Sequence, residues 1–304
     1  MKTIRINIII ILLISILFSM VKANNIQDIL YGRSGVRAQA MGGAFVSVVS
    51  DPAAAYWNPA SLGYLSGSHA NIGYTSLYQE IDRFNLDFTY GFGEKNNFWL
   101  DNASIGINIF REGVSDIPHT IANELGGGSI IGHYEDTKTV LNISYAKVFR
   151  ERFIIGFNLK EFIHEHYKYR ANGFGVDVGS IFILRPEWTI GVTVRNLIQP
   201  EMKWNTDSDH SDIVNTDIIC GMSYKLDLYK RDKLLLSFDY LLNDNQFNVG
   251  LEYSFMDLLA FRAGYNELNK MTYGVGIDVY GLKLNYVYYN HEEMGAVQSI
   301  TLGF

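Results

Sequence analysis

From about Ser68 to Phe304 the chain alternates apolar and polar residues at a period of two, in segments of about 9 to 14 residues. In one segment Leu282, Leu284, Tyr286 and Tyr288 alternate with Lys283, Asn285, Val287 and Tyr289. In another, Phe247, Val249, Leu251, Tyr253 and Phe255 alternate with Asn248, Gly250, Glu252 and Ser254. Period two belongs to the β-strand, whose successive side chains point to opposite faces. Each segment therefore has one greasy face and one polar or small face, over the length a tilted strand needs to cross a bilayer. The pattern predicts about fourteen strands, near 68–78, 82–93, 102–111, 136–149, 152–167, 171–184, 187–197, 213–226, 233–242, 245–255, 258–266, 271–279, 281–291 and 296–304. The longest connections, 112–135 and 198–212, fall at one end, where extracellular loops are expected. Loop 112–135 offers a small apolar patch in Ile117, Ile121, Leu125, Ile130 and Ile131. Arg150-Glu151 and Arg185-Pro186 read as short periplasmic turns at the other end.

Composition narrows the setting of those strands. Of 304 residues, 48% are hydrophobic and 14% aromatic, which excludes a disordered chain, and a single cysteine, Cys220, excludes a disulfide-stapled module. Residues 1–23 read as a cleaved export signal: Lys2 and Arg5 precede an apolar run from Ile6 to Val21, which ends at Val21-Lys22-Ala23. Removing Lys2, Arg5 and Lys22 with no acid leaves 22 bases against 32 acids, a formal charge of −10, which disfavours nucleic acid as a partner. No later stretch is long and apolar enough to cross as a helix, so an exported chain of this kind is either a soluble sandwich or a closed barrel. Phe, Tyr, Leu and Ile dominate one face of nearly every strand, as lipid contact requires. The expectation is an all-β transmembrane antiparallel barrel, residues 68–304, in the bacterial outer membrane. An even strand number places the N- and C-termini together on the periplasmic side.

The polar face, assigned to the lumen, carries Asp87, Lys160, Asp177, Arg195, Lys225, Asp239, Glu252, Arg262, Asp278 and Lys283. Both signs are mixed, as in a wall network more than a selectivity filter. Cys220 falls on the apolar face and reads as an inert small hydrophobe. The last strand puts Ile300, Leu302 and terminal Phe304 on one face. It resembles the assembly signal read by the barrel-insertion machinery, an expected partner along with outer-membrane lipid.

Residues 24–67 lack the alternation and are rich in Ala and Gly, so they form a separate module. About eight strands already enclose a lumen that side chains can fill, so a barrel of about fourteen needs something else inside or stays wet. In Arg37-Ala38-Gln39-Ala40-Met41-Gly42-Gly43-Ala44-Phe45-Val46, small residues permit close backbone approach. In Asp51-Pro52-Ala53-Ala54-Ala55-Tyr56-Trp57-Asn58-Pro59-Ala60-Ser61-Leu62, an acid or amide twice precedes proline. Asp51 and Asn58 are suited to cap helical turns that start at Pro52 and Pro59. A plug of two short turns follows.

These residues resemble the N-terminal hatch of FadL-type outer-membrane barrels, and more closely the PorV/PorQ branch of that superfamily. Met41, Gly42, Gly43 and Ala44 match one element; Asp51, Pro52, Tyr56, Trp57, Asn58, Pro59 and Ala60 match the other. The resemblance implies a non-enzymatic barrel with no cofactor, passing or binding small hydrophobic solutes through a plugged lumen. Its other implication is a PorV-like role in type IX secretion, binding C-terminal signal domains of secreted cargo. It also implies a kink in the third strand, where Gly106 is the candidate.

Other chemistry is sparse. His164 and His166 share one strand face but have no evident third metal ligand, so they read as solvated rim residues. Gly126-Gly127-Gly128 and Gly132 lack the Lys and Ser/Thr of a phosphate loop, while Gly274 and Gly276 would make room for the plug. His119, His133 and His210 are dispersed over loops, and there is no Gly-x-Ser-x-Gly nucleophile elbow. Trp57 reads as packing between plug and wall.

Overall fold

The alternating segments become hydrogen-bonded antiparallel strands. The computed structural model describes residues 34–49, 51–78, 80–122, 127–206, 210–229, 231–291 and 295–304. The expected export signal and residues 24–33 of the expected plug lie outside the described residues, as do Leu125 and Gly126 of the expected 112–135 loop.

The first strands are β1 (Gly67–Leu77), β2 (Ile81–Gly93), β3 (Ala103–Ala122), β4 (Gly128–Phe149), β5 (Phe153–His166), β6 (Tyr169–Arg185) and β7 (Trp188–Ile198). Two short strands follow, β8 (Glu201–Trp204) and β9 (Ser211–Ile213). The rest are β10 (Asp217–Asp227), β11 (Lys233–Leu241), β12 (Gln246–Phe255), β13 (Leu259–Asn266), β14 (Lys270–Val279), β15 (Leu282–His291) and β16 (Gly295–Gly303). Each long strand pairs with its sequence neighbours, β7 pairs with β10, and β1 pairs with β16 from Asn71↔Gly303 to Leu77↔Val297. β5 also pairs with β6, so fourteen strands form a closed antiparallel ring, the number the alternation predicts. Ala70 and Phe304 exchange backbone hydrogen bonds of 2.9 and 3.0 Å and finish that seam. Closure removes the unpaired edges that an open sheet would expose.

The greasy face points outward. On β15, Leu282, Leu284, Tyr286 and Tyr288 are exposed, while Val287 and Tyr289, on either side of Tyr288, are buried. Ile72, Phe84, Phe88, Ile107, Ile143, Phe157, Phe238, Phe261 and Ile300 extend the exposed apolar surface around the ring.

Two expectations about connections are corrected. Residues 112–135 are not a long loop, because β3 and β4 continue as a paired hairpin to Ala122↔Gly128. The register shifts between Val114 and Ile117 and between His119 and Thr120. Those shifts break the strict alternation, which hides the strand from a period-two reading. Residues 198–212 likewise contain structure. β8 pairs with β6 at Ala171↔Trp204 and Asn172↔Lys203, and β9 folds back on β8. The expected weakness at Gly106 is absent: it pairs regularly with Thr89 and with Ser144, and the Leu62 side chain fills the space beside it. The ladder between β6 and β7 is interrupted instead, between Val176 and Val178.

Residues 34–65 sit on the inner side of the ring. They comprise a five-residue helix, α1 (Val36–Ala40), and 3-10 turns at Pro52–Tyr56 and Pro59–Tyr64. Both expected caps form. The Asp51 carboxylate accepts from Ala53 N–H at 2.9 Å, and the Asn58 side-chain oxygen accepts from Ala60 N–H at 3.0 Å.

Candidate functional site

A segment with so little regular structure leaves most of its backbone N–H and C=O groups without partners of its own, and buried groups of that kind must be satisfied. Here the strand side chains satisfy them. Asp239 on β11 accepts from Phe45 N–H at 2.6 Å and Val46 N–H at 2.9 Å. Thr272 on β14 accepts from Gly42 N–H at 3.1 Å and donates to the Ala40 carbonyl at 3.0 Å. Asn266 donates to the Gly42 carbonyl, Asn248 to that of Gly43, Ser223 to that of Ser47 and Asn158 to that of Ala55. From the segment's side, Asn58 donates to the Val46 carbonyl at 2.8 Å and the Ser180 carbonyl at 3.2 Å. The wall thus takes the place of water around an irregular chain.

Close approach makes those bonds possible. Glycines face the segment from successive strands: Gly156 meets Pro59 and Ala60, Gly179 meets Asn58, Gly191 meets Val46, Gly250 meets Met41, and Gly274 meets Ala40. A Cβ at Gly264 would fall on the backbone of Met41 and Gly42. Gly42 and Gly43 also need glycine for their own conformation, with φ of 66° and 81°.

One ion cluster joins segment to wall. Arg37 on α1 donates to Glu252 on β12 through Nε and Nη2, both at 2.7 Å, and Arg262 on β13 donates to the same carboxylate at 2.6 Å. Asp51 lies 3.7 Å from Arg37 Nη1. Burial opposes the charge on Arg37, and the Glu252 and Asp51 carboxylates more than offset it, so its pKa lies above the ordinary arginine value. A second cluster surrounds the aromatic pair. Arg195 lies over the rings of Tyr56 and Trp57, 5.1 and 5.2 Å from their centroids, and Lys160 pairs with Asp177 at 2.5 Å. Trp57 is 4% exposed and its indole donates to the Ser34 carbonyl at 2.9 Å, so it packs within the segment.

The polar-face charges fall into two groups. Asp87, Lys160, Asp177, Arg195, Asp239, Glu252 and Arg262 are buried on the inner side. Lys225 and Lys283 are exposed and Asp278 half-buried, at the ring end where Phe304 lies. There a cavity of about 780 Å³ opens below the segment, lined by Arg37, Asp51, Glu252 and Arg262 among others. Met41 and Ala44 are fully buried in the segment; Ile300 and Leu302 are exposed on the outer face of β16, and so is Phe304 beyond its end. Cys220 is a half-buried free thiol.

At the opposite end, His164 and His166 share the Asp136 carboxylate at 2.8 and 3.0 Å. Among the described residues, no three His, Cys, Asp or Glu side chains are placed to hold a metal ion. Arg37 and the inward Asn, Ser and Thr residues were not singled out from the sequence. Their signal is a small or amide side chain recurring at inward positions, as in Gly250, Gly264, Gly274 and Asn248, Asn266.

A protein-family model described as "F plasmid transfer operon, TraF, protein" matches residues 142–271, under half of the chain. No curated protein sequence matches. Solved structures do. The toluene transporter TbuX of Ralstonia pickettii superposes with a TM-score of 0.58 at 14% identity, covering 90% of this chain and 97% of that one. The toluene transporter TodX of P. putida gives 0.60 at 11% identity, covering 90% and 96%. A FadL homologue of Pseudomonas aeruginosa gives 0.55 at 9% identity, covering 90% and 98%. The chain therefore has the fold of FadL-type barrels.

Proposed function

We propose that this chain is an outer-membrane barrel whose N-terminal segment plugs the lumen, and that it passes or binds small hydrophobic solutes. The observation that carries the reading is the pairing of a closed ring, apolar on its outside, with an enclosed segment held by side-chain hydrogen bonds and one ion cluster. Contacts of that kind can be exchanged for water or solute one at a time, whereas a continuous ladder cannot. The fold shared with two toluene transporters supports an apolar cargo. Met41 to Ala44 and Asp51 to Leu62 support the finer placement in the PorV/PorQ branch. No observation on the molecule favours docking of secreted cargo domains.

The test is uptake of radiolabelled toluene by cells whose lipopolysaccharide-bearing outer membrane carries the protein. Faster uptake than in matched cells lacking it, with no gain for glucose, is the expected result. Equal toluene uptake in the two strains would overturn the solute reading.

A further inference from the structure

After β7 the chain turns inward over β6. Asn196 adopts a left-handed φ of 50°, and its backbone N–H donates to Asp177 at 2.9 Å where the β6–β7 ladder breaks. Pro200 then lies above Gly175, and Met202 on β8 lies against Gly173, with gaps that a Cβ at either glycine would reduce to 2.8 and 2.7 Å. Met202 and Val214 are each 3% exposed, and they are buried with Phe162 and Ala171, beside half-buried Val140 and Trp204. Phe162 and Ala171 point inward, because they alternate in step with Lys160 and Gly175 on the buried face of β5 and β6. This is an apolar patch on the inner face of the wall, apart from the apolar clusters of Ile154 and Ile181 and of Leu77, Val287 and Val297 that pack against residues 34–65.

The cover over that patch is fastened to the sheet near its β8 end: Asn205 N–H donates to the Arg170 carbonyl at 3.0 Å, Arg170 N–H donates to the Asn205 side-chain oxygen at 2.7 Å, and the Trp204 ring lies 4.9 Å from that of His164. β8 shares two residue pairs with β6, β9 pairs with β8, and among the described residues neither forms a ladder with β7 or β10. Its feet are held firmly: Asn196 donates to the Asn215 carbonyl at 2.9 Å, Asn243 to the Thr216 carbonyl at 2.8 Å, and Thr216 to the Asn196 carbonyl at 2.8 Å. A strap anchored at both feet and, among the described residues between them, hydrogen-bonded to the ring along the start of β6 can lift without unravelling the ring. We propose that the patch of Phe162, Ala171 and Val140 with Gly173 and Gly175 is a binding site for small uncharged apolar molecules, now occupied by the strap's own Met202 and Val214. Gly173 leaves the room that the Met202 thioether takes and Gly175 the room that the Pro200 ring takes, so a solute of similar bulk fits once the strap moves. The proposal rests on the apolar-solute reading above and adds the place and the obstacle.

A strap that covers the site for most of the time weakens apparent affinity by the fraction of open molecules. Asn172 and Lys203 are directly paired, so Asn172→Cys with Lys203→Cys, in a Cys220→Ser chain, pins the strap by a disulfide. The probe is 1-N-phenylnaphthylamine, titrated by fluorescence into the full chain in detergent, alongside toluene uptake by cells carrying each form. The reduced double-cysteine chain should bind the probe, and oxidation should weaken binding by about tenfold or more. Met202→Ala, with the strap unlocked, should bind about tenfold more tightly than the unsubstituted chain. Equal binding by the oxidised and reduced forms, with toluene uptake intact, overturns the site and leaves the solute reading standing. Absence of both probe binding and toluene uptake in every form overturns both.

Discussion

Replacing Glu252 by alanine is expected to lower stability by roughly 3 kcal/mol, because it strips the shared anion from the buried Arg262 guanidinium and the half-buried Arg37 guanidinium. Glu252 accepts three charge-assisted hydrogen bonds of 2.6 to 2.7 Å from Arg37 and Arg262, and its own side chain is 7% exposed. Removing one partner of such a group leaves uncompensated charge out of water, and here two like charges would remain side by side. Arg37→Met should cost less, since the Glu252–Arg262 pair survives it and the methionine keeps much of the stem that packs beside Phe45. Thermal unfolding in detergent measures both, with protease cleavage within residues 34–65 reporting release of the segment. A loss of under about 1 kcal/mol for Glu252→Ala would mean that the cluster is hydrated and contributes like a surface pair.

Gly264→Leu should open the ring to ions. A side chain at this position meets the backbone of Met41 and Gly42, not the movable end of a side chain. The wall cannot retreat easily, because Gly264 is laddered on both sides, to Gly250 and to Thr272. Overpacking typically costs about 1–3 kcal/mol, and a backbone obstacle puts this case near the upper end, roughly 3 kcal/mol. The segment is held by separable side-chain bonds and is the part that gives way. A fourteen-stranded ring without its contents is too wide for its own side chains to fill, so it conducts. Planar-bilayer recordings should show sustained ion current for Gly264→Leu and little for the unsubstituted chain. Gly132→Leu, whose added Cβ meets nothing within 4 Å, is the control and should stay closed. Equal current from all three chains would show that residues 34–65 do not obstruct the lumen.

The strands were legible because an apolar outer face and a polar inner face impose opposite demands on successive residues, and the sequence of β15 records that demand residue by residue. The caps were legible for a local reason: Asp51-Pro52 and Asn58-Pro59 each complete their hydrogen bond within two residues. What joins distant parts of the chain was not legible. Arg37 and Glu252 are 215 positions apart, and no spacing in a single sequence brings them together. The inward glycines could have been found by laying adjacent strands side by side, since Gly250 pairs with Gly264, but that needs the register. The extension of β3 and β4 was missed because its bulges interrupt the alternation. The strap was missed because four- and three-residue strands carry too few repeats to show a period.

Amide hydrogen exchange of the intact chain in lipid tests the central claim most directly. If residues 34–65 are seated against the inner wall, the Gly42, Phe45, Val46 and Ala60 amides, bonded to Thr272, Asp239 and Asn58, exchange slowly, with protection approaching that of the strand amides around them. Exchange of those four amides at the rate of an unstructured chain, while β5 and β13 stay protected, would contradict a plugged lumen.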